Sequence, residues 1–281
     1  MKKTVNKLIK ENICLLIPFI IYGIYKNGYL IYQKNLINFL VIIKPLILCL
    51  IGVIIKIIID YIKDKKIQMD YNLIYVILIG MIMPYNINIF LYIVLFLILY
   101  IISLFLNKYL KINKVCFIYL AVILIHFIFN DYTYLNPLEQ NYNFSFEFID
   151  YLFGRGIGGI SSTNIFLSLV AYIYLINNFY YKKDIPFVIN ITYLILSFIY
   201  FFITNNSSFL LNSELIFASV FICTLPEYSP YKVSHQIIYS ISIGIISFIV
   251  SVAFNNIIAI YIATLIVSII SLLITRFNMT K

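Results

Sequence analysis

The chain has 281 residues, of which 63% are hydrophobic and only 11% charged; an ordinary soluble domain carries about 25% charged residues. With a mean hydropathy of +1.00, a water-soluble body of this size could not hide its apolar surface, so a soluble enzyme, a disordered chain and a disulfide scaffold are excluded and the main solvent is lipid. The net charge of +9 fits loops held at a cytoplasmic membrane surface better than nucleic-acid binding.

A spanning helix needs roughly 20 apolar residues. In chain order, about ten such segments stand out, at residues 11–30, 36–59, 71–84, 87–106, 115–130, 158–178, 185–204, 208–225, 236–253 and 256–275. The third and fifth are short, and the third abuts Met83-Pro84. The first has a basic start but no small-residue cleavage site, so it reads as a span rather than a signal peptide.

An all-α integral membrane protein with both termini cytoplasmic places 15 basic residues inside. Lys26, Lys34 and Arg155 lie outside, and Lys44 and Lys56 within spans. The positive-inside asymmetry supports this orientation and an even number of spans. Residues 1–130 then form one five-helix half, 131–157 an external loop and 158–281 a second half of opposite orientation. That is the arithmetic of an inverted repeat, although the halves share no evident sequence similarity. The loop carries Asp131, Glu139, Glu147 and Asp150. The wealth of Ile, Asn, Lys, Tyr and Phe matches an AT-rich bacterial genome, and the expected location is the bacterial plasma membrane, crossed many times.

Few polar residues remain to carry chemistry. Cys14, Cys49, Cys116 and Cys223 stand alone without a CxxC, so no zinc site, disulfide framework or iron–sulfur cluster within the chain is expected; a cluster shared with another subunit stays open. No metal site, catalytic triad, H-E-x-x-H or Walker motif is present. Lys44, beside Pro45, is a candidate as an intramembrane charge, though it and Lys56 can both snorkel to the interface. His126 reads as a hydrogen-bonded helix histidine, with a proton or quinone role as its rival, and His235 as solvated.

The most informative stretch is Gly154-Arg155-Gly156-Ile157-Gly158-Gly159-Ile160-Ser161-Ser162-Thr163-Asn164, which holds four of the nine glycines and is expected to run directly into an apolar helix. Close backbone approach, a helix N-terminus and three hydroxyls together can make an anion site for a phosphate or a flavin edge. The alternative is a tight re-entrant turn with packing glycines. A Rossmann fold is excluded because no strand precedes the stretch.

Residues 158–176 resemble the glycine-rich segment that opens the sixth helix in the RnfD/NqrB family. These are membrane subunits of Rnf and Na⁺-pumping NADH:quinone oxidoreductase complexes. Gly158 and Thr163 match the family pattern, whereas Gly159, Ser161, Ser162 and Asn164 depart from it. Thr224-Leu225-Pro226-Glu227-Tyr228-Ser229-Pro230 is similar to the family's A-T-D-P-x-T-S-P, with Gln236 at the family spacing and Leu225 in place of its Asp. Taken alone, this stretch could be no more than a proline-bracketed turn between spans.

The resemblance implies a urea-transporter-like framework and partner subunits in the bilayer. It also implies flavin-mediated electron transfer coupled to Na⁺ or H⁺ movement. It places flavin contacts at Gly156, Gly158, Gly159, Ser161, Ser162 and Thr163, with Thr224, Ser229 and Pro230 shaping a second turn. In the family, a threonine before Pro-Leu carries phosphoester-linked FMN. Here Asn136 precedes Pro137-Leu138 and has no hydroxyl, and Thr133 lacks the family context. Covalent FMN is therefore not expected, and FMN or riboflavin, if bound, would be noncovalent. The glycine- and proline-rich motif before the fifth span is absent from residues 108–121. A small-solute or vitamin transporter on the same framework, or a scaffold subunit without redox chemistry, are the alternatives.

Overall fold

The computed structural model describes residues 2–30, 32, 42–66, 68–110, 112–128, 148–254 and 257–279, which form helices and irregular connections without a strand. Helix α1 (Lys2–Ile24) runs into a π-helical turn (Tyr25–Tyr29). Then come α2 (Lys44–Asp64), α3 (Tyr71–Ile82), α4 (Ile89–Tyr109), α5 (Lys114–Ile128) and the short α6 (Phe148–Leu152). The chain continues through α7 (Ile165–Ile176), α8 (Asp184–Thr204), α9 (Ser213–Phe221), α10 (Val233–Ala253) and α11 (Ala259–Met279).

Five of these segments are long and apolar enough to cross a membrane: Lys7–Tyr29, Lys44–Lys63, Ile89–Asn107, Asp184–Thr204 and Val233–Ala253. The others are shorter. Residues 158–164, read from the sequence as the start of a span, are not helical, and α7 begins only at Ile165. The segment 208–225 likewise contains just nine helical residues.

One succession of lengths recurs along the chain. A 21-residue helix, a short helix of 12 and a second 21-residue helix (α2, α3, α4) are echoed by 21, 9 and 21 residues in α8, α9 and α10. Each short helix is followed by a proline, Pro84 or Pro226. Proline disfavours α conformation in the residue before it, and Met83 is extended, at φ −65° and ψ 150°. Length and proline together explain why α3 cannot continue as a full span.

The chain divides into two compact units, residues 1–99 with 121–167 and residues 100–120 with 168–281. This partition differs from the chain-order halves 1–130 and 158–281. In the first unit α2 packs on α3 with backbones in contact. A Cβ on Gly80 would stand 2.8 Å from Cys49 Cα, Cys49 N and Leu48 O. Without a solvent-driven force between helices in lipid, small residues that permit such approach carry the packing. Near the end of α2, Lys56 reaches toward the connection to α3. Its side chain is buried and its ammonium lies 2.6 Å from Asp60 and 3.0 Å from Asp70, with Gln68 O as a further acceptor. Two carboxylates turn it inward because a buried ammonium needs paired charge.

In the second unit α10 packs on α8 and α11. Its buried side carries Gln236, Ser240, Gly244, Ser247 and Ser251, whereas Ile237, Ile238, Ile241, Ile245 and Ile249 are exposed. That is the reverse of a soluble helix and suits a hydrocarbon surround.

Replacing Gly80 with leucine should force α2 and α3 apart and cost about 1–3 kcal/mol or more. Thermal unfolding of the detergent-solubilised protein measures it, and an unchanged midpoint would show that the helices are not in backbone contact.

Candidate functional site

The glycine-rich stretch lies in the first unit and is shaped by an interior cation. The π-helical turn after α1 turns Lys26, Asn27 and Gly28 inward. π-Turns within helices often accompany functional sites. Lys26 Nζ donates to Gly156 O at 2.6 Å and to Thr163 Oγ1 at 3.0 Å, and Thr163 Oγ1 donates onward to Gly154 O at 2.8 Å. Asn27 Nδ2 donates to Ile160 O at 2.6 Å. Lys26 is 2% exposed, so a residue that the charge count placed on the external side has its ammonium buried within the protein. A lysine stem long enough to reach two points of the loop, with an oxygen-rich loop to receive its ammonium, explains the inward turn.

The same stretch seals the broken end of α3. Ile160 N donates to Met83 O at 2.8 Å and Ser161 N to Met81 O at 2.9 Å. These carbonyls have lost the helical donors that Pro84 prevents. Gly159 is required here, because a Cβ would lie 2.8 Å from both Ile82 Cα and Ile82 O. Asn164, a departure from the family pattern, caps α7: its Oδ1 accepts from Leu167 N at 2.9 Å. One of the free N–H groups proposed for an anion is thereby already satisfied.

The sequence-derived residues therefore fall into distinct environments. Gly156, Gly159 and Thr163 are buried, Gly156 accepting from Lys26, Gly159 packed on Ile82 and Thr163 bonded to Gly154 O, and Ser162 is fully buried. Ser161 is also buried, but its Oγ has no hydrogen-bond partner among the described residues. Gly158 is half-buried, between the exposed Ile157 and the buried Gly159. Arg155 faces outward and pairs with Asp150 at 2.6 Å. Asn136 and Thr133 lie outside the described residues.

Thr224, Ser229 and Pro230 belong to the second unit, in the turn between α9 and α10. Thr224 Oγ1 donates to Val220 O at 2.6 Å and Ser229 Oγ to Leu225 O at 2.7 Å. From the α7–α8 connection, Lys182 Nζ donates to Ser229 O at 2.7 Å and contacts Ser229 Oγ at 2.6 Å, with the Tyr231 ring centroid 4.3 Å away. Gln236 Nε2 donates to Tyr231 O at 3.0 Å, which ties the turn to α10. Burial lowers the Lys182 amine from 10.5 to about 8, although the face of Tyr231 favours the cation. Neighbouring Tyr181 is raised well above 10.0, chiefly by burial.

Sequence reasoning missed three interior polar residues. Lys26 and Asn27 were hidden by a position near a span end, and Glu214 by an apolar window. An acid inside a span was the available signal for Glu214. Lys44 Nζ donates to Tyr85 O at 2.5 Å and lies 5.1 Å from the Tyr85 ring centroid. His126 is buried and its Nδ1 is 2.9 Å from Val122 O.

Outward apolar faces, buried hydroxyls and interrupted helices closed by polar turns define a multi-pass membrane protein. The whole chain, residues 1–281, matches the model of the NQR2, RnfD, RnfE family, and the chain belongs to that family. The family supplies membrane subunits of multi-subunit Rnf- and Nqr-type complexes, which implies partner subunits in the membrane. A search of curated proteins gives no match.

Two tests follow from this geometry. Lys26→Met removes the donor to both Gly156 O and Thr163, so protease cleavage within residues 154–164 should rise severalfold; unchanged protection would show that Lys26 does not hold the loop. For Lys182, the folded state releases its proton near pH 8 while the unfolded chain keeps it until about 10.5. The unfolded state then binds more protons across this window, so stability rises with pH from about 8 to 10.5. Partial exposure and screening reduce the slope. It should be absent in Lys182→Met, as read by thermal unfolding across that range.

Proposed function

We propose that this chain is a flavin-dependent electron-transfer subunit of an Rnf/Nqr-type complex in the bacterial plasma membrane, holding FMN or riboflavin without a covalent bond. The observation that carries the reading is a glycine-rich loop that receives a buried ammonium, Lys26 from the π-turn, and also holds a buried hydroxyl, Ser161 Oγ, with no hydrogen-bond partner among the described residues. The electron-rich edge of a flavin, or a phosphate, suits such a donor set, so the residues present fit the group. Ser161 and the backbone at Gly158 would contact it. Gly156, Gly159, Ser162 and Thr163 would hold the loop's shape, and Lys26 would supply positive charge. Bound flavin would supply the electron-carrying chemistry. Thr224, Ser229 and Pro230 would order a second turn, kept in place by Lys182. Asn136 cannot form the family's phosphoester.

In this reading the chain crosses the bilayer about ten times with both termini cytoplasmic, in two inverted halves. The recurrent succession of long, short and long helices, with a proline after each short one, supports the repeat, and the positive-inside asymmetry supports the orientation. The interrupted helices also favour a second reading, a small-solute or vitamin transporter, because transporters place substrate sites at such breaks.

Protein purified with its native membrane partners should release flavin into acid. It should show no fluorescent band in a denaturing gel. Ser161→Ala should weaken retention about fivefold, the equivalent of roughly 1 kcal/mol for one hydrogen bond. Absence of acid-released flavin, with solute uptake by reconstituted vesicles, would replace this reading with the transporter.

A further inference from the structure

The second unit buries an acid that none of the above uses. Glu214 stands in the first turn of α9 and is 1% exposed. Tyr261, on α11 and fully buried, donates its hydroxyl to Glu214 Oε2 at 2.5 Å. Asn212 caps the same helix end, with its side chain accepting from Leu215 N at 3.0 Å. A carboxylate in a first turn gains from the positive end of the helix. A charged group in a spanning region is costly unless such partners are present, and it is a functional candidate by default.

Other titratable groups lie on the helices of the same unit. From α5, Tyr119 lies against Tyr261 with ring centroids 4.3 Å apart. One turn away, Cys116 Sγ is 2.8 Å from Thr264 Oγ1 of α11. Cys223 follows α9. From α10 comes Tyr239, whose buried hydroxyl has no hydrogen-bond partner among the described residues and which interacts with Cys116 and Cys223. From α8, Tyr193 bonds Ser251 at 3.3 Å and also Asn212.

We propose that Glu214 and Tyr261 form a proton-exchanging site within the second unit. The pair is suited to both protonation states. The ionised carboxylate accepts the Tyr261 O–H. The neutral carboxyl donates its own O–H to the phenol oxygen, while the phenol proton turns to another acceptor. One proton is taken from water and later returned to it, with no electron change. One hydrogen bond between the two side chains is kept in both protonation states, which limits the cost of loading and unloading the buried pair. The inference does not depend on flavin, because neither residue belongs to the glycine-rich loop.

Infrared difference spectroscopy of the full chain in lipid nanodiscs, titrated with pH, tests this. A protonated-carboxyl band should appear on acidification and vanish in Glu214→Gln, an isostere that still accepts the Tyr261 hydrogen bond. Tyr261→Phe should keep the band but shift it to higher frequency, because the carboxyl loses its partner. A band unaffected by Glu214→Gln, or a carboxyl that does not respond to pH, would overturn the proposal. A band that disappears on addition of Na⁺ at constant pH would also overturn it, in favour of a sodium site. Comparing the thermal midpoints of the variants separates loss of the band from loss of the fold.

Discussion

Backbone N–H and C=O groups inside a bilayer have no water to bond, so an interrupted helix must have its free carbonyls met by other protein atoms. That constraint organises the first unit. Pro84 stops α3 at Ile82, and the carbonyls of Met81 and Met83 are received by the N–H groups of Ser161 and Ile160. The donating segment must approach a helix backbone closely and remain non-helical itself, which is why a glycine stands at 159. Its own carbonyls then need partners, and Lys26 and Asn27 supply them from the π-turn of α1. Three regions distant in sequence are thus bound by one requirement.

The turn after α9 solves a related problem with different chemistry. Here hydroxyls bond carbonyls four residues earlier, Thr224 to Val220 and Ser229 to Leu225, and a lysine from another connection clamps the result. Both turns use an interior or half-buried lysine as a multidentate donor. In each case the ammonium is directed at carbonyl and hydroxyl oxygens rather than left toward solvent. Polar residues that a family motif marks for ligand binding can therefore also be what holds the turn. Of the three hydroxyls at 161–163, Ser161 is the one whose oxygen has no partner among the described residues, whereas Thr163 is engaged within the fold.

Interior charge is handled in three ways. Lys56 is matched by Asp60 and Asp70, Lys26 by neutral oxygens, and Glu214 by a tyrosine and a helix end. The first is a tether between α2 and the start of α3. The second sets the shape of a loop. The third is the pair proposed to exchange a proton.

The sequence by itself determined the solvent, the helical class, the five long apolar helices and the two turns that carry the family resemblance. Those follow from hydropathy and from Gly and Pro, whose effects are local. Hydropathy also extended spans through 158–164 and across 208–225, because apolar composition does not report whether the backbone is helical. Only the tertiary structure decided that Lys26 and Lys56 point inward, that Asn164 is a cap, and that Glu214 meets Tyr261 47 residues away. The direction of a long side chain depends on which oxygens the fold brings within its reach, and no local pattern encodes that.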